Sequence, residues 1–321
     1  MVGLSRPSAQ SDDPFLKRRL RRRVLGIAVA LATIGLLSAA GFALGAALRR
    51  GAERRGPGPV EIAALWEARD IEAVYEATEA KLLDHPLDQF MTAFYGFASY
   101  QKAIGALDAE RGSALLDQAI LSLRQSRLGG PFELDTHVLY VLGKAYFKKG
   151  PDYYQESVDA LKAAVEAGGA YADQWEYLAL ASQELGRLGE ASSYFALALE
   201  RSPQSLEIRV AAARLEFARG DLARAAELAR EAYERSQDLY LKERGAFILA
   251  DVYRASGRPE RALTLYAEIK EFNPESADAW YYEGLVFQES GDPIKARASW
   301  RRAVSIDPMH GAARQKLAER S

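Results

Sequence analysis

There is no cysteine among the 321 residues. Its absence excludes disulfides, thiolate metal sites, a cysteine nucleophile and a cysteine-linked lipid anchor. The redox compartment stays open, because a chain without thiols suits an oxidising space as well as a reducing one. Histidine is also scarce: His85, His137 and His310 stand far apart, and none belongs to an HExxH arrangement. They are read as ordinary surface or seam residues. An enzyme needs a clustered set of acid, base, nucleophile or metal ligands, so no catalytic residue, metal site or cofactor is expected. No GxxxxGK[ST] or GxGxxG stretch occurs, and nucleotide binding has no support. Carboxylates are plentiful, but on helices they form solvated faces and i,i+4 pairs.

With 49% hydrophobic residues the chain has enough apolar surface to bury a core, and disorder is not expected for most of it. The formal net charge of −2 hides an asymmetry. Residues 1–60 carry 11 Lys and Arg against 3 Asp and Glu, leaving 31 basic and 41 acidic residues for 61–321. So acidic a body is poorly suited to the phosphate backbone, and nucleic acid is not an expected partner.

From Val24 to Leu48 the chain runs 25 residues without a charge. As a helix this run would extend roughly 37 Å at about 1.5 Å per residue, more than the roughly 30 Å hydrocarbon core of a bilayer. The expectation is one tilted transmembrane helix over 24–48. The alternative is a cleaved secretory signal, with small residues available at Ser38-Ala39-Ala40. Such a signal has a shorter apolar region, of about 7–15 residues, and Arg49 and Arg50 follow this run directly. Seven positive residues precede the span (Arg6, Lys17, Arg18, Arg19, Arg21, Arg22, Arg23) and four follow (Arg49, Arg50, Arg54, Arg55). The bias predicts a single-pass inner-membrane protein with a cytoplasmic basic tail at 1–23 and the remainder outside the cytoplasm, in the periplasm of a Gram-negative-type cell. Gly41 and Gly45 have the spacing that lets two membrane helices approach closely, so a homo-oligomer through them is one expectation. A Gly/Pro/Arg linker at 49–59 then separates anchor from body.

The body repeats with a period of 34 residues. Small residues recur at Ala179, Ala213, Ala250 and Gly284, and again twelve residues later at Ala191, Ala225, Ala262 and Ala296. Phe195, Ala229, Tyr266 and Trp300 follow, and Pro203, Pro274 and Pro308 close three of the units. Each unit reads as two antiparallel helices. The small residues mark the close crossing, and the turn lies at Gly186, Gly220, Gly257 or Gly291. A pair of this kind cannot bury its own apolar face, so the units must stack.

These residues resemble the tetratricopeptide-repeat (TPR) family. Trp280-x2-Glu283-Gly284-x2-Phe287 with Ala296, Trp300 and Pro308 follows the family pattern except at Glu283, where leucine is usual. Trp175-x2-Leu178-Ala179 with Ala191, Phe195 and Pro203 also fits, as does Leu249-Ala250-x2-Tyr253 with Ala262, Tyr266 and Pro274. The unit around Ala213 and Ala225 is plainer. Leu142-Gly143-x2-Tyr146 with Ser157 and Leu161 fits with two residues inserted near Gly150–Tyr154. The expected fold is all-α: a right-handed α-solenoid of stacked helix pairs, with five TPR units over 136–310, a capping helix at 311–321 and divergent helical repeats over 60–130.

The resemblance implies a groove lined by the first helix of each unit that holds peptides or partner helices. Carried over position by position, the groove residues are Tyr140, Lys144 and Phe147; Leu180 and Gln183; Val210, Arg214 and Phe217; Phe247, Asp251 and Arg254; and Tyr281, Leu285 and Gln288. Exposed aromatics and arginines are common interface anchors. The competing reading is that several merely pack between neighbouring helices. TPR domains that clamp chaperone tails use groove asparagines beside lysines, and this chain's one asparagine is Asn273, so that subtype is not expected. The leading expectation is a membrane-anchored scaffold that assembles an envelope complex through protein partners. Its rivals are a periplasmic holder of unfolded clients, a non-catalytic subunit of a membrane enzyme or of a flagellar-motor collar, and an enzyme subunit with its site in 60–130.

Overall fold

A computed structural model describes residues 57–319. The expected span 24–48, the basic tail and the Gly41/Gly45 pair lie outside the described residues. Among those described, no helix is long and apolar enough to cross a membrane. Every regular element described is helical: fifteen α-helices and one 3-10 helix. The chain divides into two compact units, one ending at Tyr95 and one beginning at Gly96, and the boundary falls inside a helix.

The first unit contains α1 (Pro59–Glu67), α2 (Ile71–Asp84) and the start of α3 (Gln89–Ile104). Pro59, assigned above to the linker, opens α1 instead, because at a first helical position its missing N–H costs nothing. Asp70 caps α2, its carboxylate accepting from the Ala73 amide at 3.1 Å. Ile62 and Val74 are fully buried. Trp66 meets Phe94 edge-on with ring centroids 5.8 Å apart.

The second unit holds the rest of α3, then α4 (Ala109–Ser126), α5 (Asp135–Lys149), α6 (Tyr154–Glu166), α7 (Gln174–Glu184) and α8 (Leu188–Arg201). It continues with α9 (Leu206–Arg219), α10 (Leu222–Arg235), α11 (Leu239–Ala255), α12 (Pro259–Phe272), α13 (Ala277–Glu289), α14 (Pro293–Ile306) and α15 (Gly311–Ala318). From α4 onward each helix packs on the next, and α5 also touches α7, and α9 also touches α11. This is the connectivity of a solenoid of helix pairs.

Turn and crossing residues explain why the pairs form. Gly186, Gly220, Gly257 and Gly291 sit at φ of 72°, 81°, 69° and 78°, a left-handed conformation that residues with a Cβ adopt at a cost. Ala191, Ala225, Ala262 and Ala296 are fully buried at the crossings. On the facing helix glycine stands at two crossings where a Cβ has no room. A Cβ on Gly143 would stand 2.5 Å from Leu161 Cγ, and one on Gly284 would stand 2.6 Å from Trp300 Cδ1. Ala179, Ala213 and Ala250, opposite Phe195, Ala229 and Tyr266, carry their Cβ and are fully buried.

Two irregularities are absorbed locally. The two-residue insertion after α5 forms the 3-10 helix Pro151–Tyr153, while Ser157 Oγ still donates across the pair to the Gly143 carbonyl at 2.8 Å. The 34-residue spacing becomes 37 between Ala213 and Ala250, and the added residues lengthen α11 at its N-terminus to 17 residues. Glu283, where the family's leucine is usual, is only 13% exposed and pairs with the 15% exposed Lys270 of α12 at 2.5 Å. Ser299 Oγ donates to its other oxygen at 2.8 Å, and Lys270 Nζ lies 3.9 Å from the Trp280 ring centroid. Helix α15 closes this end with Leu317 and the buried Ala313 packed against the Trp300 cluster.

Candidate functional site: a groove across α9, α11 and α13

Along the repeats, α9, α11 and α13 line an open cavity of about 560 Å³. Four residues expected from the sequence meet there: Arg214 and Phe217 from α9, Phe247 and Asp251 from α11. The sequence reading missed Tyr240, Glu243, Arg244 and Ile248 of α11, and Asp278 and Tyr282 of α13. Tyr240 belongs to the extra turn of α11 and is 62% exposed. Ile248 and Tyr282 each stand two residues before their helix's small crossing residue, one residue on from Phe247 and Tyr281; Tyr282 is half-buried at the cavity wall, while Ile248 is 5% exposed and belongs mainly to the core.

The polar groups of the cavity divide by charge. Asp278 Oδ1 lies 3.0 Å from His310 Nε2. Glu243 accepts from Asn273 Nδ2 at 3.0 Å and from Ser276 Oγ at 2.5 Å. Asp251 accepts from Arg254 Nη1 at 3.2 Å, and Arg254 also reaches Glu289 of α13 at 2.5 Å. Burial pushes the Asp251 carboxyl up, against the opposing pull of Arg254 and Arg214. Each carboxylate therefore has a partner within the protein. The two remaining arginines are in no salt bridge among the described residues: Arg244 donates to the Tyr240 hydroxyl, and Arg214 acts on Asp251 through space without a direct pair.

Toward α5 and α7 the corresponding positions are filled from within. Tyr140 and Tyr171 stack at 3.9 Å with rings 10° from parallel. Tyr140 donates to Asp173, as does Lys144 Nζ at 2.7 Å, and Lys144 lies 4.8 Å from the Tyr177 ring centroid. Phe147 meets Tyr177 edge-on at 5.4 Å. His137 packs between Phe97 at 4.8 Å and Tyr171 at 5.3 Å. Burial, seconded by Lys144, pushes its imidazole pKa down. Burial also drives the Tyr100 and Tyr140 hydroxyls well above the usual phenol range. Tyr140, Lys144 and Phe147 are therefore committed to partners inside the chain, as the competing reading anticipated for some of the expected residues.

The other expected residues are dispersed. Val210 is 3% exposed and belongs to the core, so it presents nothing to a partner, because its small side chain is covered by the α9–α11 packing. Tyr281 lies tilted against the His310 ring at 5.1 Å and, with Leu285, packs toward the cap. Leu180 is half-buried against the core, Gln183 is half-buried, and Gln288 borders a small recess beside Trp300 and Lys316. His85 is exposed at the end of α2. His310 caps α15, its Nδ1 accepting from the Ala313 amide at 3.1 Å. Among the described residues no group of three or more His, Asp and Glu is set to hold a metal ion.

The tetratricopeptide-repeat sequence profile matches three overlapping stretches, 178–240, 210–274 and 247–309, which carry α9, α11 and α13. No curated protein matches the sequence. The fold is similar to the C-terminal part of a TPR repeat-containing protein from Cytophaga hutchinsonii, with TM-score 0.59 and 16% identity over 82% of this chain and 100% of that one. It is similar to a tetratricopeptide repeat protein from Parabacteroides merdae, with TM-score 0.50 and 16% identity over 80% and 94%. A chain of the APC/C hetero-tetramer Cut9–Hcn1 aligns at TM-score 0.49 and 14% identity over 84% of this chain, which spans about half, 50%, of that one. At such identities the likeness is one of fold.

Proposed function

We propose that the tetratricopeptide repeats of this chain act as a scaffold that binds a segment of a partner protein across α9, α11 and α13. TPR repeats generally mediate protein interactions, and the cavity at these helices carries the reading. It gathers Phe217, Tyr240, Phe247 and Tyr282 with Arg214 and Arg244 on one open face, the residue types that anchor protein interfaces.

The charge-free run of residues 24–48 supports a tether to the inner membrane, with the tail 1–23 cytoplasmic and the repeats on the far side. There the scaffold would hold together an envelope assembly. Carbonate extraction of membranes tests the tether, and protease protection tests its orientation. Release into the carbonate supernatant, or protection of the repeats on the cytoplasmic side, defeats the corresponding part. For the groove, Phe217→Ala with Phe247→Ala should abolish partner recovery while leaving the helical content of the chain unchanged; recovery at the wild-type level refutes it. The apolar face of the same cavity also favours a second reading, a holder of unfolded clients. That reading predicts suppression of client aggregation in proportion to concentration, with no stable partner.

A further inference from the structure

From the charge bookkeeping of this cavity we infer that its occupant is a short extended segment of a partner protein bearing one carboxylate beside an apolar side chain, with the carboxylate held by Arg214 and Arg244. The inference deepens the groove reading and rests on it. Neither guanidinium is in a salt bridge among the described residues, Arg214 feels Asp251 only through space, and Arg244 spends one donor on the Tyr240 oxygen. Every carboxylate of the cavity is engaged: Asp278 with His310, Asp251 with Arg254, Glu243 with Asn273 and Ser276. The unmet hydrogen-bonding capacity is therefore cationic, and a guanidinium matches a carboxylate in a bidentate fork.

The same three acids set an upper limit on the occupant's charge. A run of acidic residues would bring like charges against Glu243, Asp251 and Asp278, which line the cavity with the arginines. One carboxylate is favoured; several are repelled. Phe217, Phe247 and Tyr282 supply the surface for the neighbouring apolar side chain. The footprint is short because the positions on α5 and α7 are filled by Tyr140, Tyr171 and the Lys144–Asp173 pair. Three helices spaced at roughly 10 Å span roughly 20 Å, the reach of about six extended residues. The arginines and tyrosines here differ from the lysines and asparagines of the chaperone-tail clamp.

The test is fluorescence-polarisation binding of labelled hexapeptides to the full chain in mild detergent. The probes are an acetylated, amidated peptide with one central glutamate between leucines, its glutamine counterpart, a version with four glutamates, and the glutamine peptide with a free C-terminal carboxylate. The single-glutamate peptide should bind about tenfold or more tighter than its glutamine counterpart and tighter than the four-glutamate peptide, weakening with salt. Arg214→Gln and Arg244→Gln should each remove most of that preference, while Arg224→Gln, on α10 away from the cavity, should keep it. If the free-terminus peptide alone shows the preference, the carboxylate recognised is a chain terminus rather than a side chain, and the inference is overturned. Equal binding of glutamate and glutamine peptides, tightest binding of the four-glutamate peptide, or a preference untouched by both arginine variants overturns it. If equal binding is still lost in Phe217→Ala, the groove reading survives and only the carboxylate is refuted. If none of the peptides binds, the inference fails, and the partner-recovery test of Phe217→Ala with Phe247→Ala decides the groove separately.

Discussion

Replacing Glu283 by leucine, the residue usual at that place in TPR repeats, should destabilise this protein. Glu283 is 13% exposed and Lys270 is 15% exposed, with their charged atoms 2.5 Å apart. Removing the carboxylate leaves the Lys270 ammonium against the face of Trp280 and takes the acceptor from Ser299 Oγ. Breaking one side of a fully buried pair costs about 3–5 kcal/mol. Lys270 keeps some access to water along its flexible stem, so the expected loss is about 2–3 kcal/mol. The double change Glu283→Leu with Lys270→Met removes both charges and keeps the volume, and should return the stability to within about 1 kcal/mol of the original. A repeat array need not unfold in one step, so the measurement is amide hydrogen exchange in α12–α14 of the full chain. The single variant should exchange there about 30–150-fold faster, at tenfold per 1.4 kcal/mol, while the double variant stays near the original rate. A single variant that exchanges like the original, or a double variant as fast as the single, refutes the reasoning.

Gly284→Ala should cost about 1–3 kcal/mol by overpacking against Trp300, and Trp300→Phe in the same chain should restore much of it, as Ala179 already faces Phe195; equal exchange rates in α13 for single and double variants would count against this. Gly220→Ala, at φ 81°, should lose about 1 kcal/mol in chemical denaturation, whereas Gly189→Ala, whose added Cβ meets nothing within 4 Å, should leave the midpoint unchanged or raise it. Because burial holds the His137 pKa below its unfolded value, the unfolded chain takes up the proton first as pH falls, so stability around α5 should be full above about pH 6.5 and decline below it. His137→Phe should flatten that decline, and an unchanged pH profile would contradict the assignment. Glu176 acts with the opposite sign, its carboxyl pushed up chiefly by burial, so the difference between the two profiles isolates His137.

The sequence reported the helix pairs well because their constraints are steric and local. Gly220 and Gly291 could be recognised as turns because their positive φ favours glycine, and Ala225 and Ala296 as crossings because they are fully buried where two helices meet. The cavity was only half legible. Arg214, Phe217, Phe247 and Asp251 were found because they hold fixed places in the repeat. Tyr240 was missed because it lies in the turn by which α11 exceeds its neighbours, outside any periodic pattern. Tyr282 was passed over for Tyr281, one residue away, because two adjacent tyrosines on one helix differ by about 100° in direction and periodicity alone does not say which faces the groove. Tyr140 and Lys144 share the repeat position of residues that line the cavity, yet their partner Asp173 lies in the following unit, a contact visible only once the helices are stacked. Glu283 looked like a departure from the pattern until Lys270 and Ser299 were placed beside it.

The most direct test of the groove is photocrosslinking in intact cells from a photoreactive residue at 217 or 247, with the same residue at the exposed Leu121 of α4 as the control and the adducts identified by mass spectrometry. The account predicts one recurring partner protein from both groove positions and not from the control. Lipid or nothing from both groove positions, or the same adducts from all three, would contradict it.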